Sequence, residues 1–254
     1  MARAPARRGG SSFIDQYGLR PDRGVIALLV VYLVSWALLR FGGQAIGDFF
    51  ANHLALTPRR AIGVEPWQLI TGGFIVARLS SILFLAVTLV FFGNALERAL
   101  GAGGLWKIYL AGVFGGGLLL GLLGRVVAPD SIMFVAHGAG TAILVGYAVQ
   151  MGRQQVMAFG STPMRAGSMA WIWIGISVIG VLLDASELGA WMPALLQLTD
   201  MLGGGLAGWL VASRGAVGLG GVRDTMDRVK MWRLRRRYKV IPGGRGGDDK
   251  RYLN

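Results

Sequence analysis

Hydrophobic residues along this chain gather in six long blocks, 25–41, 79–96, 105–124, 132–151, 169–183 and 193–212, separated by polar or glycine-rich breaks. A helix needs about 20 apolar residues to cross the hydrocarbon core of a bilayer. Five blocks meet that length once a flanking residue or two is added. Block 169–183 is shorter and must borrow from 166–168 and 184–188. The blocks are too rich in glycine, and their turns too far apart, for the dyad alternation of a membrane β-barrel. The pattern therefore predicts an all-α polytopic membrane protein with six transmembrane helices.

The connection between the first two blocks, 42–78, is the longest. It carries Phe49, Phe50, Leu54, Leu56, Trp67 and Ile70, but also the pair Arg59-Arg60. Such a mixed segment is too polar to span. It is expected to lie in the interface, where its aromatic rings suit the headgroup belt, or to dip partway into protein. The other loops are short, and no internal repeat is visible.

Composition agrees with the pattern. Hydrophobic residues make up 54% and charged residues 15%, against about 25% charged in an ordinary soluble domain. With no cysteine, disulfides, thiolate metal sites and cysteine nucleophiles are excluded. His53 and His137 are the only histidines, so no metal site or cofactor is expected. A net charge of +13 suggests a nucleic-acid binder until it is mapped along the chain. With both termini placed in the cytoplasm, twenty-one Lys/Arg fall on the inner side. Only five (Arg40, Arg59, Arg60, Arg78 and Arg125) fall outside or nearby. That asymmetry predicts N-in/C-in topology. Three parts follow: a basic cytoplasmic segment 1–24, a membrane domain 25–212 and a basic cytoplasmic tail 213–254. Residues 1–8 precede no apolar run before Val25 and no small-residue cleavage site, so they do not read as a removable signal peptide.

In the tail, Val222, Met226, Val229 and Trp232 would share one face of a helix over 222–238. Arg233, Arg235, Arg236, Arg237 and Lys239 would then meet anionic lipid of the inner leaflet, at about 1 kcal/mol per basic residue. RNA is the competing ligand for such a run. Tethering beside the bilayer favours lipid, and no nucleic-acid partner is expected. Pro242-Gly-Gly-Arg-Gly-Gly reads as a linker.

Small residues form stripes on three blocks. Gly112, Gly116, Gly117, Gly121 and Gly124 leave one side of the third nearly bare; Gly138, Ala142 and Gly146 line the fourth; Gly204 and Gly208 line the sixth. In lipid, such stripes let helix backbones approach closely, so they predict tight packing. Gly101-Ala-Gly103-Gly104 lacks the preceding strand and the following Lys-Ser/Thr of a phosphate loop and reads as a turn.

Several motifs, in order, resemble rhomboid intramembrane serine proteases. Pro66-Trp67-Gln68-Leu69-Ile70-Thr71-Gly72-Gly73-Phe74 is similar to the end of their first lumenal loop, and Gly93-Asn94-Ala95-Leu96-Glu97 to the end of their second helix. Leu105–Leu110, with Tyr109, resembles the start of the third. Val135-Ala136-His137-Gly138 stands where Gly-x-Ser-Gly belongs, and Met201-Leu202-Gly203-Gly204-Gly205-Leu206-Ala207-Gly208 resembles the sixth-helix pattern His-x-Gly-Gly-x-x-x-Gly. The resemblance covers roughly 25–212 and implies a six-helix rhomboid-like bundle.

The departures fall on the chemistry. On this resemblance the nucleophile and base positions read His137 and Met201, and the oxyanion-stabilising His and Asn positions read Ser81 and Leu85. Hydrolysis needs a nucleophile within reach of a base and donors aimed at the developing oxyanion. A thioether is no base and leucine no donor. The resemblance thus implies a catalytically inactive member, a pseudoprotease.

His137 and Asp200 remain as ionisable residues inside spans, and such residues are expensive enough to be candidate sites. If the helices pack as in rhomboids, the two approach each other. As a plain polar clip between the fourth and sixth helices they would contribute about 1 kcal/mol or less. The sharper alternative is a rearranged triad, with Ser81 as nucleophile, His137 as base and Asp200 as orienter. Against it, Asp200 is rotated by about 100° from the Met201 position, and no new oxyanion donor is evident.

The function expected is non-catalytic: binding the transmembrane segments of other integral membrane proteins as adaptor, chaperone or regulator, in a bacterial inner membrane. Two alternatives stay open, an accessory subunit of a large membrane complex and an active protease built on Ser81, His137 and Asp200. A transporter is disfavoured because no paired broken helices suggest inverted repeats.

Overall fold

The computed structural model describes residues 21–158, 162–189 and 191–237. The chain divides into two compact units, Met1–Arg214 and Gly215–Asn254, each taken by itself. The first unit opens with α1 (Arg23–Phe41). The long connection holds three short helices, α2 (Gly43–Phe49), α3 (Pro58–Ala61) and α4 (Gln68–Thr71). Then come α5 (Leu79–Leu100), α6 (Ala102–Val127) and α7 (Ala136–Met151). A hairpin of β1 (Gln155–Ala158) and β2 (Thr162–Arg165), paired antiparallel with Gln155 opposite Arg165, leads to α8 (Ala166–Leu188) and α9 (Trp191–Arg237). In the second unit residues 215–237 are helical in backbone. The side chains of Arg233, Arg235, Arg236 and Arg237, all of Lys239, and the segment 1–20 lie outside the described residues.

Among the described residues, five helices, α1, α5, α6, α8 and α9, are long and apolar enough to cross a membrane. Block 169–183 did extend at both ends, into α8. The expected fourth span is the exception: α7 has 16 residues because 132–135 are not helical. Met133 instead pairs with Leu56 in an isolated antiparallel bridge, and the helix starts only after Val135. From Gly138 to Leu144 every residue of α7 is buried. A helix wrapped in protein has its environment set by its neighbours, and need not match the hydrocarbon thickness.

The glycine stripes explain that enclosure. A methyl on Gly208 would lie 2.7 Å from Ala142 Cα, one on Gly112 3.1 Å from the Gly138 carbonyl, and one on Gly115 2.8 Å from the Gly203 carbonyl. So α6, α7 and α9 meet backbone to backbone. Farther along α6 the bare side meets the short helices α3 and α4 instead of another long one. Added methyls at Gly117 and Gly124 would strike the Leu69 carbonyl and the Pro58 ring, at 2.8 and 2.7 Å. The 42–78 connection is seated there, with Leu56, Ala61 and Leu69 in one buried cluster with Leu120, Val135 and Leu196.

That connection both dips into protein and faces outward. Val64, Trp67 and Phe49 are exposed, while buried Gln68 accepts from the Thr57 amide at 2.9 Å and donates to the Asn52 carbonyl and to Glu65. Thr71 Oγ1 donates to the Leu54 carbonyl at 2.8 Å. These bonds satisfy backbone groups that non-helical chain would otherwise leave unpaired among apolar neighbours. In the expected glycine turn, Gly101 alone makes the reversal, at φ +77°, a region L side chains avoid. Gly103 and Gly104 already belong to α6.

At the end of the bundle where α1 begins, Glu97 of α5 accepts from the amides of Gly24 at 2.8 Å and Val25 at 2.9 Å. The residue preceding α1, Asp22, caps nothing with its own side chain and pairs instead with Arg98 at 3.0 Å. Glu97 thus supplies from another helix the acceptor that the first turn of α1 needs.

Candidate functional site

A cavity of about 730 Å³ opens among α5, α7, α8 and the start of α9. Ile75, Val76, Phe84, Ile176 and Val181 give it apolar walls; Ser81, His137, Ser177, Gln197, Arg78 and Asp184 give it polar ones. Each polar group is positioned by a different element. Ser81 stands in the first turns of α5, where Arg78 marks the helix start. His137 lies in the first turn of α7, one residue after Ala136. Gln197 comes from the second turn of α9. The Arg78–Asp184 ion pair, 2.7 Å, joins the beginning of α5 to the end of α8. Lower between the same two helices, Phe84 stacks on Trp173 with ring centroids 5.3 Å apart. The Trp173 indole N–H donates to Thr88 Oγ1 at 2.9 Å.

His137 and Asp200 do approach, but not through the imidazole. Asp200 is fully buried, and its Oδ2 accepts from the Gly138 backbone amide at 2.7 Å. The residue preceding α7 is Val135, which has no side chain able to cap. Asp200 therefore caps α7 from α9, setting a carboxyl oxygen at the free N–H groups of the helix start. Its other oxygen, Oδ1, accepts no hydrogen bond among the described residues. There is no room for more than hydrogen beside it: a methyl on Gly116 or Gly138 would collide with that oxygen. The polar contact between α7 and α9 is made by Asp200 with the Gly138 backbone amide, not with the His137 imidazole.

The imidazole faces Gln197, whose Nε2 lies 2.9 Å from each ring nitrogen. The three triad candidates are not hydrogen-bonded to one another through their side chains among the described residues. Ser81 and His137 share the cavity wall, yet no hydrogen bond joins them among the described residues, and Asp200 does not line the cavity. The ring's side-chain neighbour at hydrogen-bond distance is Gln197, and Asp200 makes no hydrogen bond to it among the described residues. The remaining positions are apolar in place as well as in kind. Leu85 is buried and packs on α7, 3.1 Å from where a methyl on Gly140 would stand. Met201 is buried with Val181, Ala185 and Ala194, facing α8. Asp200, and not Met201, is the residue that α9 turns toward the start of α7.

Sequence reading passed over Gln197, though a signal was present. It is an uncharged polar residue in an apolar span, three positions before Asp200 and so on the same helix face. It also missed the role of Glu97 and the Arg78–Asp184 pair, which depend on which helix ends become neighbours.

Fold and site together define an integral, multi-pass helical membrane protein. A family model described as eukaryotic integral membrane protein (DUF1751) matches residues 23–211, and the chain belongs to that family. The family is grouped within the rhomboid-like superfamily. No curated protein matches the chain. Since the family's description speaks of eukaryotic proteins, it lends no support to the expected bacterial inner membrane.

Proposed function

We propose that this protein is a non-catalytic, rhomboid-like membrane protein that holds part of another protein's transmembrane segment in the cavity between α5 and α8. The observation that carries the reading is the pairing inside that cavity. Among the described residues, the imidazole that shares the cavity with Ser81 contacts Gln197 and not the serine, and the fully buried Asp200 caps α7. A serine that makes no hydrogen bond to the neighbouring imidazole is poorly activated as a nucleophile, whereas an open recess of this size, apolar with a few polar groups, suits binding. In this reading α7 serves as the short central helix of a six-helix bundle, both termini face the cytoplasm, and the basic tail rests on anionic lipid. Photocrosslinking in a native membrane from Ile176, which lines the cavity, tests it. An integral partner captured there and absent from the lipid-facing position Leu33 supports the proposal; equal capture at both positions refutes it.

One observation favours a second reading, in which the chain is a serine protease: Ser81 and His137 line the same cavity. Purified protein that takes up a fluorophosphonate label, and loses it in Ser81→Ala, would establish that reading and end the first.

A further inference from the structure

The cavity's polar groups are unbalanced between donors and acceptors. The Ser81 and Ser177 hydroxyls, the Gln197 amide, the His137 ring and the Arg78 guanidinium all line it, and Asp184 is its one carboxylate. That carboxylate is already taken by Arg78 Nη1. The rest of the guanidinium has no hydrogen-bond partner among the described residues. Ser177 is also spent, donating to the Trp173 carbonyl at 2.8 Å. What remains for a guest is a cation with unused N–H groups, the Ser80, Ser81 and Ser131 hydroxyls, and the amide and ring edge of Gln197 and His137. Arginine carries five N–H donors and no acceptor, and its fork matches a carboxylate.

We infer that the guest recognised in this cavity is an apolar transmembrane segment bearing one acidic side chain, whose carboxylate meets Arg78 and Ser81 while its apolar neighbours pack on Ile75, Phe84 and Ile176. Arg78 and Asp184 balance in charge, so the surplus of donors decides among guests. A lysine or arginine brings only further donors to a wall whose one carboxylate already accepts from Arg78, whereas a carboxylate brings acceptors. A uniformly apolar segment would leave the cavity's donors unpaired, which is costly away from water. An aspartate or glutamate in a bilayer is expensive in the lipid and cheap here, so the gain comes from both sides. The size agrees, since about 730 Å³ is within the range of pockets that take a ligand-sized group; the recess accepts a turn of helix and not its whole length.

This inference rests on the proposed function and is separable from it. The test uses the full chain in nanodiscs and synthetic single-span Leu/Ala peptides that differ at one position near the membrane surface, carrying Asp, Leu or Lys. Photocrosslinking is read from Ile176. The Asp peptide is expected to be captured about tenfold more than the Leu peptide, the preference one good polar contact in a membrane supplies. Lys should fall at or below Leu. Arg78→Gln should abolish the Asp preference, bringing the ratio of Asp to Leu capture down to about one. The exposed ion pair contributes little to folding, and circular dichroism of the variant checks that it is intact. Capture of all peptides without preference overturns this inference alone. Preference for Lys overturns it as well. Capture of none, or displacement of the Asp peptide by anionic lipid at equal concentration, overturns both this inference and the proposed function.

Discussion

Two buried carboxylates in this bundle perform the same local task in different settings. Glu97, on α5, uses both oxygens to cap the first turn of α1, accepting from Gly24 and Val25. Asp200, on α9, caps the first turn of α7 with one oxygen and leaves the other without a partner among the described residues. Glu97 stands near a helix end beside Asn94 and the Asp22–Arg98 pair. Asp200 is enclosed by the glycines of α6 and α7. The first is a completed joint. The second holds α7 at the edge of the cavity, so that His137, one residue before Gly138, is fixed in the cavity wall. A burial that looks alike in sequence therefore has one purely architectural instance and one that builds a site.

Substitutions sharpen this contrast, and thermal or steric-trap unfolding in detergent or bicelles reads them. Glu97→Ala should cost most, about 3 kcal/mol, because two charge-assisted hydrogen bonds are lost and two buried amides are left unpaired. Gly138→Ala should follow at about 2 kcal/mol, the usual scale for overpacking. Part of that loss should return in the Asp200→Ala background, since Asp200 supplies the clashing oxygen. Strict additivity would show that the two do not touch. The isosteric amides then separate the two carboxylates. Glu97→Gln turns an N–H toward an N–H and should cost about 2 kcal/mol. Asp200→Asn keeps an acceptor on Gly138 and should cost about 1 kcal/mol or less; equal costs would mean the two caps are equivalent. Arg78→Ala, which breaks an exposed pair, should change stability by less than about 1 kcal/mol.

The helical, membrane-spanning character was legible in the periodicity of the chain, because a bilayer demands long uninterrupted apolar stretches. The extension of 169–183 into its flanks and the dipping of 42–78 were legible for the same reason. The shortness of α7 was not. It depends on Met133 finding Leu56 across a long loop, a tertiary pairing that interrupts an apolar run without a polar residue to mark it. The glycine stripes correctly announced close approach, yet their partners differ along α6: helices near Gly112 and Gly115, the 42–78 connection near Gly117 and Gly124. Within the site, Ser81, His137 and Asp200 stood out as polar residues in apolar blocks. Which atoms they would meet did not. Asp200 takes a backbone amide because Val135 leaves α7 uncapped, and that need is invisible until the helix start is known.

The central claim is that the cavity holds a membrane segment and does not cut it. The mass of whatever crosslinks at Ile176 in a native membrane tests this most directly. The account predicts an intact integral membrane protein, of the same full mass whether captured by the unaltered chain or by Ser81→Ala. A shortened fragment or a covalent adduct on Ser81, present with the serine and absent without it, would contradict it.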